Sequence, residues 1–472
     1  MINSKEFRKH AHQFVDWMAD YYENIESYPV KSQVKPGDIY NQIPENAPQD
    51  SESIPDIFKD FEDIIMPGMT HWQHPHFHAY FNGNASFPSI LAEMLTSTLG
   101  AQCMIWDTSP AAAELEEKMM NWLREMIGLP NFFHGVIQDT ASTATLVAFL
   151  TAREQSTNYE INQKGFSGNE NFRIYCSKEA HSSIDKGVKI AGFGLENLVH
   201  IPTDQNLALK PEALETAIKN DLEAGRKPTC VVAAIGTTGT TAIDPLEEIA
   251  RICQKYKIWL HVDAAYFGSA LVLPENRWMI KGIEMADSFV FNPHKWMFTN
   301  FDCSAYYVKD KEALLKTFEI LPEYLKTKSR GQVNDYRDWG IQLGRRFRAL
   351  KLWFVIRNFG VQGIKEKIKL HIDLTQEFAR RLEKHPDFEI LVPVHLNLVC
   401  FRFKPQQITN EKEINDINEK LLQLANDTGN VFLTHTKIGG QYALRMLFGQ
   451  TYVEKRHMEN VWELLLKLIK QL

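Results

Sequence analysis

"IWLHVDAAYFGSALVLPENRWMIKGIEMADSFVFNPHKW", residues 258–296, holds two short apolar runs, and each ends in polar groups. "IWLHVD" closes on Asp263, and "SFVF" runs into Asn292, His294 and Lys295. Short runs rich in Val, Phe and Trp, punctuated by Gly and Pro, read as buried strands. A third such run, "TCVVAAIGTT" (229–238), lies upstream, and a helical pattern over 245–256 separates it from the first two. Strands that alternate with helices predict an α/β domain: a largely parallel sheet with helices over both faces.

The same alternation extends outward over about 80–350. "SPAAAELEEKMMNWLREMIGLP" (109–130) is a punctuated helix. Ser109 can cap it, Pro110 suits its first turn, and Gly128 and Pro130 stop it. Leu115, Met119, Trp122, Leu123 and Met126 form its apolar face. Residues 1–27 read as an amphipathic helix with Phe7, Ala11, Val15, Met18 and Tyr22 at spacings of three or four. That segment has little core of its own and must pack on another element or on a partner subunit. Beyond 350 a long helix precedes "FEILVP", "NLVCFRF", "VFLTHTK" and "YALRMLF", with helices expected at 411–426 and 453–471. The expected division is an N-terminal helical segment (1–80), a large α/β domain (81–350) and a smaller C-terminal α+β domain (351–472).

The chain has 472 residues, 44% hydrophobic and 24% charged, with a net charge of −7. The acidic balance argues against nucleic-acid binding, which normally needs a basic stripe. No apolar run approaches the roughly 20 residues of a membrane helix, and "MINSKEFRKHAHQF" lacks the apolar centre of a secretory signal. Six cysteines (103, 176, 230, 253, 303, 400) stand singly with no CxxC pair. They read as reduced thiols, and the expected location is the cytoplasm.

Ligands of open α/β sheets gather at the carboxyl ends of strands. Thr238, Asp263, His294 and Lys295 fall near such ends, as does "QDTAST" (138–143), which opens the helical run "ATLVAFLTARE". A helix start rich in Thr and Ser suits a phosphate, and it equally suits ordinary capping. Without GxxxxGK[ST] there is no nucleotide P-loop, and "GFG" at 192–194 is too weak for a dinucleotide site. Asp263 after an apolar strand is a structural ion pair, a helix cap, or the partner of a protonated ring nitrogen. Lysine is rarely buried unless paired or reacted, and a Schiff base removes the need for Lys295 to carry a buried charge. Phosphate cradle, pyridinium partner and Schiff-base lysine are together what pyridoxal phosphate requires.

The chain resembles the group II pyridoxal-phosphate decarboxylases, in the aromatic-L-amino-acid decarboxylase branch. The matching segments run nearly end to end: "IIMPGMTHWQHPHFHAYF", "GVIQDTAS", "EAHSSIDKG", "GTTGTTAIDPLEEI", "WLHVDAAYFGSA", "NPHKW", "NFDCSA", "DYRDW" and "LGRRFRALKLWFV". The resemblance implies a fold-type I enzyme, a homodimer with shared active sites. Lys295 would carry the cofactor, Asp263 would hold its ring nitrogen protonated, and His181 would stack on the ring. Thr140, Ala141 and Ser142 would take the phosphate, with Thr238, Ala265, Asn292 and His294 lining the cavity. Tyr324, in "LPEYLKTKSRGQ", would return a proton to Cα. Relatives with phenylalanine for that tyrosine, or asparagine for the histidine, tend to be aldehyde synthases. Tyr324 and His181 therefore imply amine and CO2 as products, from tryptophan, tyrosine, dopa, phenylalanine or 5-hydroxytryptophan. A histidine decarboxylase of the same family is the nearest alternative, and an aromatic aldehyde synthase comes next.

For the substrate pocket the resemblance points to Trp72, Tyr80 and Phe81 as an aromatic wall, followed by Asn82. Gln102 and Met104 would reach in from the partner, and Gly344 matches a position where glycine accompanies indole substrates in plant relatives. Asp139 stands where glycine is more usual, beside the phosphate segment, and is expected to point away as a cap. His74, His76 and His78 alternate, which would put them on one face of an extended segment as a metal site needs. They coincide with the aromatic wall, and no cysteine or carboxylate lies near in sequence, so no metal is expected.

Overall fold

The computed structural model describes residues 2–168, 170–320 and 331–472. The chain divides into two compact units: Gly83–Asp373, and Met1–Asn82 together with Leu374–Leu472.

The larger unit is built on a seven-stranded sheet. Its strands are β1 (His134–Gln138), β2 (Phe172–Ser177), β3 (Leu198–Ile201), β4 (Lys227–Ala234), β5 (Trp259–Asp263), β6 (Ser288–Phe291) and β7 (Ser304–Val308). Their order across the sheet is β1-β7-β6-β5-β4-β2-β3. The pairs β2/β3, β2/β4, β4/β5 and β5/β6 are parallel. β7 is antiparallel to both β1 and β6, so those two run the same way. Six strands thus share one direction, and their carboxyl ends lie along one edge. β2, β6 and β7 are buried along their whole length, as expected of strands covered on both faces. Val136, Phe149, Ile174, Val232, Val290 and Tyr306 belong to the core between sheet and helices.

The second unit carries a four-stranded antiparallel sheet of β8 (Phe388–Ile390), β9 (Leu398–Phe403), β10 (Thr434–Ile438) and β11 (Gln441–Leu447), ordered β10-β11-β9-β8. Phe378, Phe401, Leu421, Leu444 and Leu465 join its core. The long helix expected after residue 350 is two helical segments within Arg348–Lys384, meeting at Gly360, whose φ of 66° lies in the left-handed region that glycine tolerates. The first helix, Ser4–Glu23, is closed by an Asn3/Glu6 capping box and has no buried residue. Its contacts are aromatic: Phe14 stacks on Phe58 at 4.7 Å and Trp17 meets Phe61 edge-on at 5.3 Å.

The alternating histidines lie in this unit. His74 Nδ1 accepts the His76 N–H at 3.0 Å, and His78 Nδ1 donates to the Leu447 carbonyl at 2.8 Å. The His76 ring meets His457 edge-on at 5.2 Å, and His457 Nε2 lies 3.3 Å from Glu26 Oε1. Arg456 holds Glu26 through bonds of 2.6 and 2.8 Å. Among the described residues no group of three or more His, Cys, Asp or Glu is placed to hold a metal ion. Burial pushes His74 down to about 3, His76 to about 4 and His78 to about 3. The unfolded rings titrate near 6.5, so below that pH the unfolded chain binds more protons than the folded one. Their contribution to stability is present above about 6.5 and is lost as pH falls toward 4. Glu26, held down to about 2 chiefly by Arg456, adds a further loss only below about 4.5. Denaturant unfolding between pH 7 and 4 should show stability falling with pH, and His76→Gln should flatten that slope. An equal slope in the variant would mean that His76 is protonated in the folded protein.

Candidate active site

β6 ends at Phe291, and the chain turns at once into the short helix Pro293–Trp296, with Asn292 as its N-cap. Proline at the first helical position has a preset φ and no N–H to lose. The turn is held by polar bonds at each step. The Asn292 N–H donates to the Ala265 carbonyl at 2.9 Å, and Asn292 Oδ1 accepts from the Ser304 hydroxyl at 2.6 Å. His294 Nδ1 accepts the Cys303 N–H at 2.9 Å, so the proton of its neutral ring sits on Nε2. Burial pushes His294 down to about 3. The Asn84 side chain donates to the Lys295 carbonyl at 2.7 Å. Burial lowers the Lys295 amine below its ordinary value, against the opposing pull of Asp263. An amine so placed is readily available as a nucleophile.

Asp263 is the last residue of β5 and pairs in register with Val290 of β6. Its Oδ1 accepts the Ala265 N–H at 3.0 Å, which leaves Oδ2 for another donor. His181 follows β2, and its charge interacts with both Asp263 and Lys295. Ser183 fixes that ring: its N–H donates to His181 Nδ1 at 3.1 Å and its hydroxyl lies 2.8 Å from the same atom. The proton of neutral His181 therefore resides on Nε2. Desolvation lowers the His181 pKa, with Asp263 acting against it and Lys295 with it. After β4, Gly236 turns with φ 90°, and a Cβ there would stand 2.7 Å from the Phe267 ring. Thr238, two residues on, is half-buried.

The fourth strand end is β1, which leads into the helix Ala141–Ser156. Thr140 is its N-cap, with Oγ1 accepting the Thr143 N–H at 3.4 Å. Asp139 turns back on its own neighbour: Oδ1 accepts the Thr140 N–H at 2.6 Å, and Oδ2 accepts from Gln342 Nε2 at 2.9 Å. Ala141 and Ser142 stay partly exposed at the helix start. A lysine whose ammonium form is disfavoured, a carboxylate with one oxygen open and a helix N-terminus suited to a phosphate are the donor set of pyridoxal phosphate, and these residues fit it.

The residues expected to contact substrate are divided between the units. In the larger unit, Gln102 Oε1 accepts the Arg345 N–H at 2.7 Å, and a Cβ at Gly344 would stand 3.4 Å from Gln102 Nε2. The Met104 carbonyl accepts the Arg337 N–H at 3.0 Å. In the second unit, Trp72 stacks on Tyr80 at 5.9 Å, and the Arg445 guanidinium lies 5.7 Å from the Phe81 ring centre. Asn82 is fully buried and donates to the Gly449 carbonyl at 2.7 Å. Tyr324 lies outside the described residues.

Sequence reading passed over the residues that support these groups. Arg345 is buried against Glu116, with bonds of 2.6 and 3.0 Å, and also donates to the Ile137 carbonyl at 2.8 Å. Glu116 in turn accepts the Ile137 N–H at 2.9 Å. The clamp ties the Gly344 segment to β1 just before the Thr140 turn. Its partners are 229 residues apart, so no local pattern announces it.

Comparison with known proteins identifies the family. Residues 36–404 match the family described as Pyridoxal-dependent decarboxylase conserved domain. A phenylacetaldehyde synthase of a Rosa hybrid cultivar is 41% identical, over 98% of this chain and 93% of its own length. Tyrosine decarboxylase 2 of Narcissus pseudonarcissus is 42% identical, also over 98% and 93%. The Oryza sativa TDC solved with PLP and tryptamine superposes with a TM-score of 0.97 at 34% identity, covering 100% of this chain and 99% of that one. The chain belongs to the pyridoxal-dependent decarboxylase family, and its cofactor is pyridoxal phosphate.

Asp139 places a carboxylate beside the turn suited to the phosphate, and like charges at short range repel. Asp139→Asn keeps the hydrogen-bonding shape and removes the charge. Equilibrium titration of the apoprotein with pyridoxal phosphate should show binding tightened by about three- to tenfold, as expected for relieving a partly screened charge pair. Equal or weaker binding would show that Gln342 already removes the carboxylate from the phosphate's reach.

Proposed function

We propose that the protein decarboxylates an aromatic L-amino acid, one of tryptophan, tyrosine, dopa, phenylalanine or 5-hydroxytryptophan, to the corresponding amine and CO2. The observation that carries the reading is the meeting of Asp263 and Lys295 at the ends of adjacent strands, with the lysine amine disfavoured as a cation. When bound, pyridoxal phosphate supplies the electron sink for the charge left at Cα as CO2 departs. Lys295 Nζ holds the cofactor, and the open Oδ2 of Asp263 keeps the proton on the ring nitrogen. The N-terminal turn at Thr140, Ala141 and Ser142 binds the phosphate with N–H and hydroxyl donors. His181 lies against the ring, with Ser183 fixing its orientation. Thr238, Ala265, Asn292 and His294 line the cavity, where His294 offers an Nε2–H donor. Tyr324 is the residue proposed to return a proton to Cα.

Trp72, Tyr80 and Phe81 supply an aromatic wall for the substrate. Asn82, engaged by Gly449, contributes shape more than polarity. Gln102, Met104 and Gly344 are assigned to the part of the pocket furnished by a second copy of the chain. A homodimer is supported by the helix Phe87–Leu99, which leaves Phe87, Leu91, Met94, Leu95 and Leu99 all more than a third exposed. A contiguous apolar stripe of that kind marks an interaction surface. A cytoplasmic location is supported by six buried cysteines, all free thiols. No described helix is long and apolar enough to cross a membrane.

Overall identity does not separate amine from aldehyde chemistry, because an aldehyde synthase and a decarboxylase stand at 41% and 42%. Tyr324 and His181 favour the amine. A mass-spectrometric screen of the cofactor-loaded protein against the aromatic amino acids, histidine and glutamate should return aromatic amines. Histamine alone would move the specificity to histidine, and aldehyde with oxygen uptake would overturn the amine assignment. Tyr324→Phe should divert product toward aldehyde, and amine as its sole product would remove Tyr324 as proton donor. Leu91→Glu with Leu95→Glu should give monomers by light scattering and abolish turnover. An active monomer would rule out a shared site.

A further inference from the structure

Beneath the strand ends lies a buried polar chain that uses none of the groups assigned so far. His261 is fully buried on β5, two residues before Asp263, so both side chains leave the same face of the strand. Its Nδ1 lies 2.9 Å from the Ser288 hydroxyl on β6, and its Nε2 lies 3.2 Å from the Thr145 hydroxyl. Thr145 sits on the helix Ala141–Ser156, one turn beyond Ala141 and on the same helix face. The Trp259 indole N–H donates to Ser288 at 3.0 Å, which completes the far end. His261, Ser288 and Thr145 are all 0% exposed.

The three elements joined here carry the three groups that must fit one rigid cofactor. β5 carries Asp263 for the ring nitrogen, and β6 leads to Lys295. The helix carries the turn at Thr140–Ser142 for the phosphate. Ring nitrogen and phosphate are a fixed distance apart in the cofactor, so the helix must be held at one setting relative to β5. Apolar packing tolerates sliding more readily than a hydrogen bond, whose energy falls steeply with misalignment. A buried imidazole bonded through both nitrogens also resists displacement, because breaking either bond leaves a polar group without a partner.

We propose that His261, with Thr145 and Ser288, acts as a positioning group that sets the span between the phosphate end and the ring-nitrogen end of the cofactor site. The inference rests on the site roles proposed above for Asp263, Lys295 and the Thr140 turn. It assigns His261 no contact with substrate or cofactor.

Thr145→Val keeps the shape and removes the bond at the helix end, and Ser288→Ala removes the one at β6. Each apoprotein would be titrated with pyridoxal phosphate, with visible absorbance and circular dichroism recorded for the bound form. The expected result is a dissociation constant raised about tenfold or more, the order for one lost buried hydrogen bond, with a changed visible dichroism. Thr145→Ser should restore both. Turnover should fall in kcat with KM for the amino acid little changed, since the wall that meets the substrate is untouched. A merely structural role would lower thermal stability alone and leave the dichroism of the bound cofactor as in the parent. If Thr145→Val does not fold, Ser288→Ala carries the same comparison. Both variants binding within twofold of the parent, with the parent dichroism, would overturn the proposal. The underlying site reading is tested separately in the parent protein by visible absorbance that Lys295→Ala abolishes. Its absence from the parent would defeat the site reading itself.

Discussion

A half-buried lysine and a half-buried carboxylate at the ends of neighbouring strands are the constraint on which the rest of the larger unit depends. Burial removes the stabilisation that water gives an ammonium, so Lys295 is displaced toward its neutral form while Asp263 pulls the other way. Such a pair has to be held by rigid elements, because a carboxylate free to swing onto the amine would restore the charge. The parallel pairing of β5 with β6 fixes the Asp263 backbone beside β6, and the Ala265 N–H holds its Oδ1. The direction shared by six strands then brings His181, Thr238 and the Thr140 turn to the same edge.

Much of this was legible in the sequence because its causes are local. The apolar runs of β4, β5 and β6 fix strands through burial on both faces, and each run leads into a polar residue of the candidate site. Pro110 and Gly128 bound the helix Pro110–Ile127 through backbone preferences that act within one turn. Gly360 breaks a helical pattern whose side chains continue unaltered on either side, so the interruption was not visible in periodicity. What periodicity cannot encode is a partner far along the chain. Arg345 reads as one of two adjacent arginines in "LGRRF", and only the fold shows that Arg345 meets Glu116 and Ile137, while Arg346 reaches Glu93 at a more exposed position.

The histidines of "HWQHPHFH" make the same point from the other side. The alternation of His74, His76 and His78 suggested ligands on a single face, yet Nδ1 of His74 and of His78 is committed to backbone. His74 takes the His76 N–H and His78 gives its Nδ1 proton to Leu447. Spacing alone could not distinguish rings that bind a metal from rings that tie a loop to a strand, because both need the same extended geometry. The distinction lies in which lone pairs remain, and that depends on Leu447 and His457, both more than 350 residues away along the chain.

His261 joins these two lessons. In sequence it is one more polar residue in an apolar strand, two positions from the carboxylate proposed for the ring nitrogen. A strand can place residues i and i+2 on one face at no cost, so the alternation that delivers Asp263 to the site also delivers His261 beneath it. The identity of the residue matters because imidazole alone among neutral side chains offers two ring nitrogens that point apart within the plane of one rigid ring. Serine or threonine on β5 would be too short to bridge two elements, and a carboxylate would add a charge below Asp263 where desolvation is severe. Burial keeps His261 itself neutral, down to about 4, so the tie holds across the physiological range without altering the field at the site. Asp263 and the His261 beneath it thus follow from one strand pattern, with the upper residue proposed for the cofactor's ring nitrogen and the lower one for register.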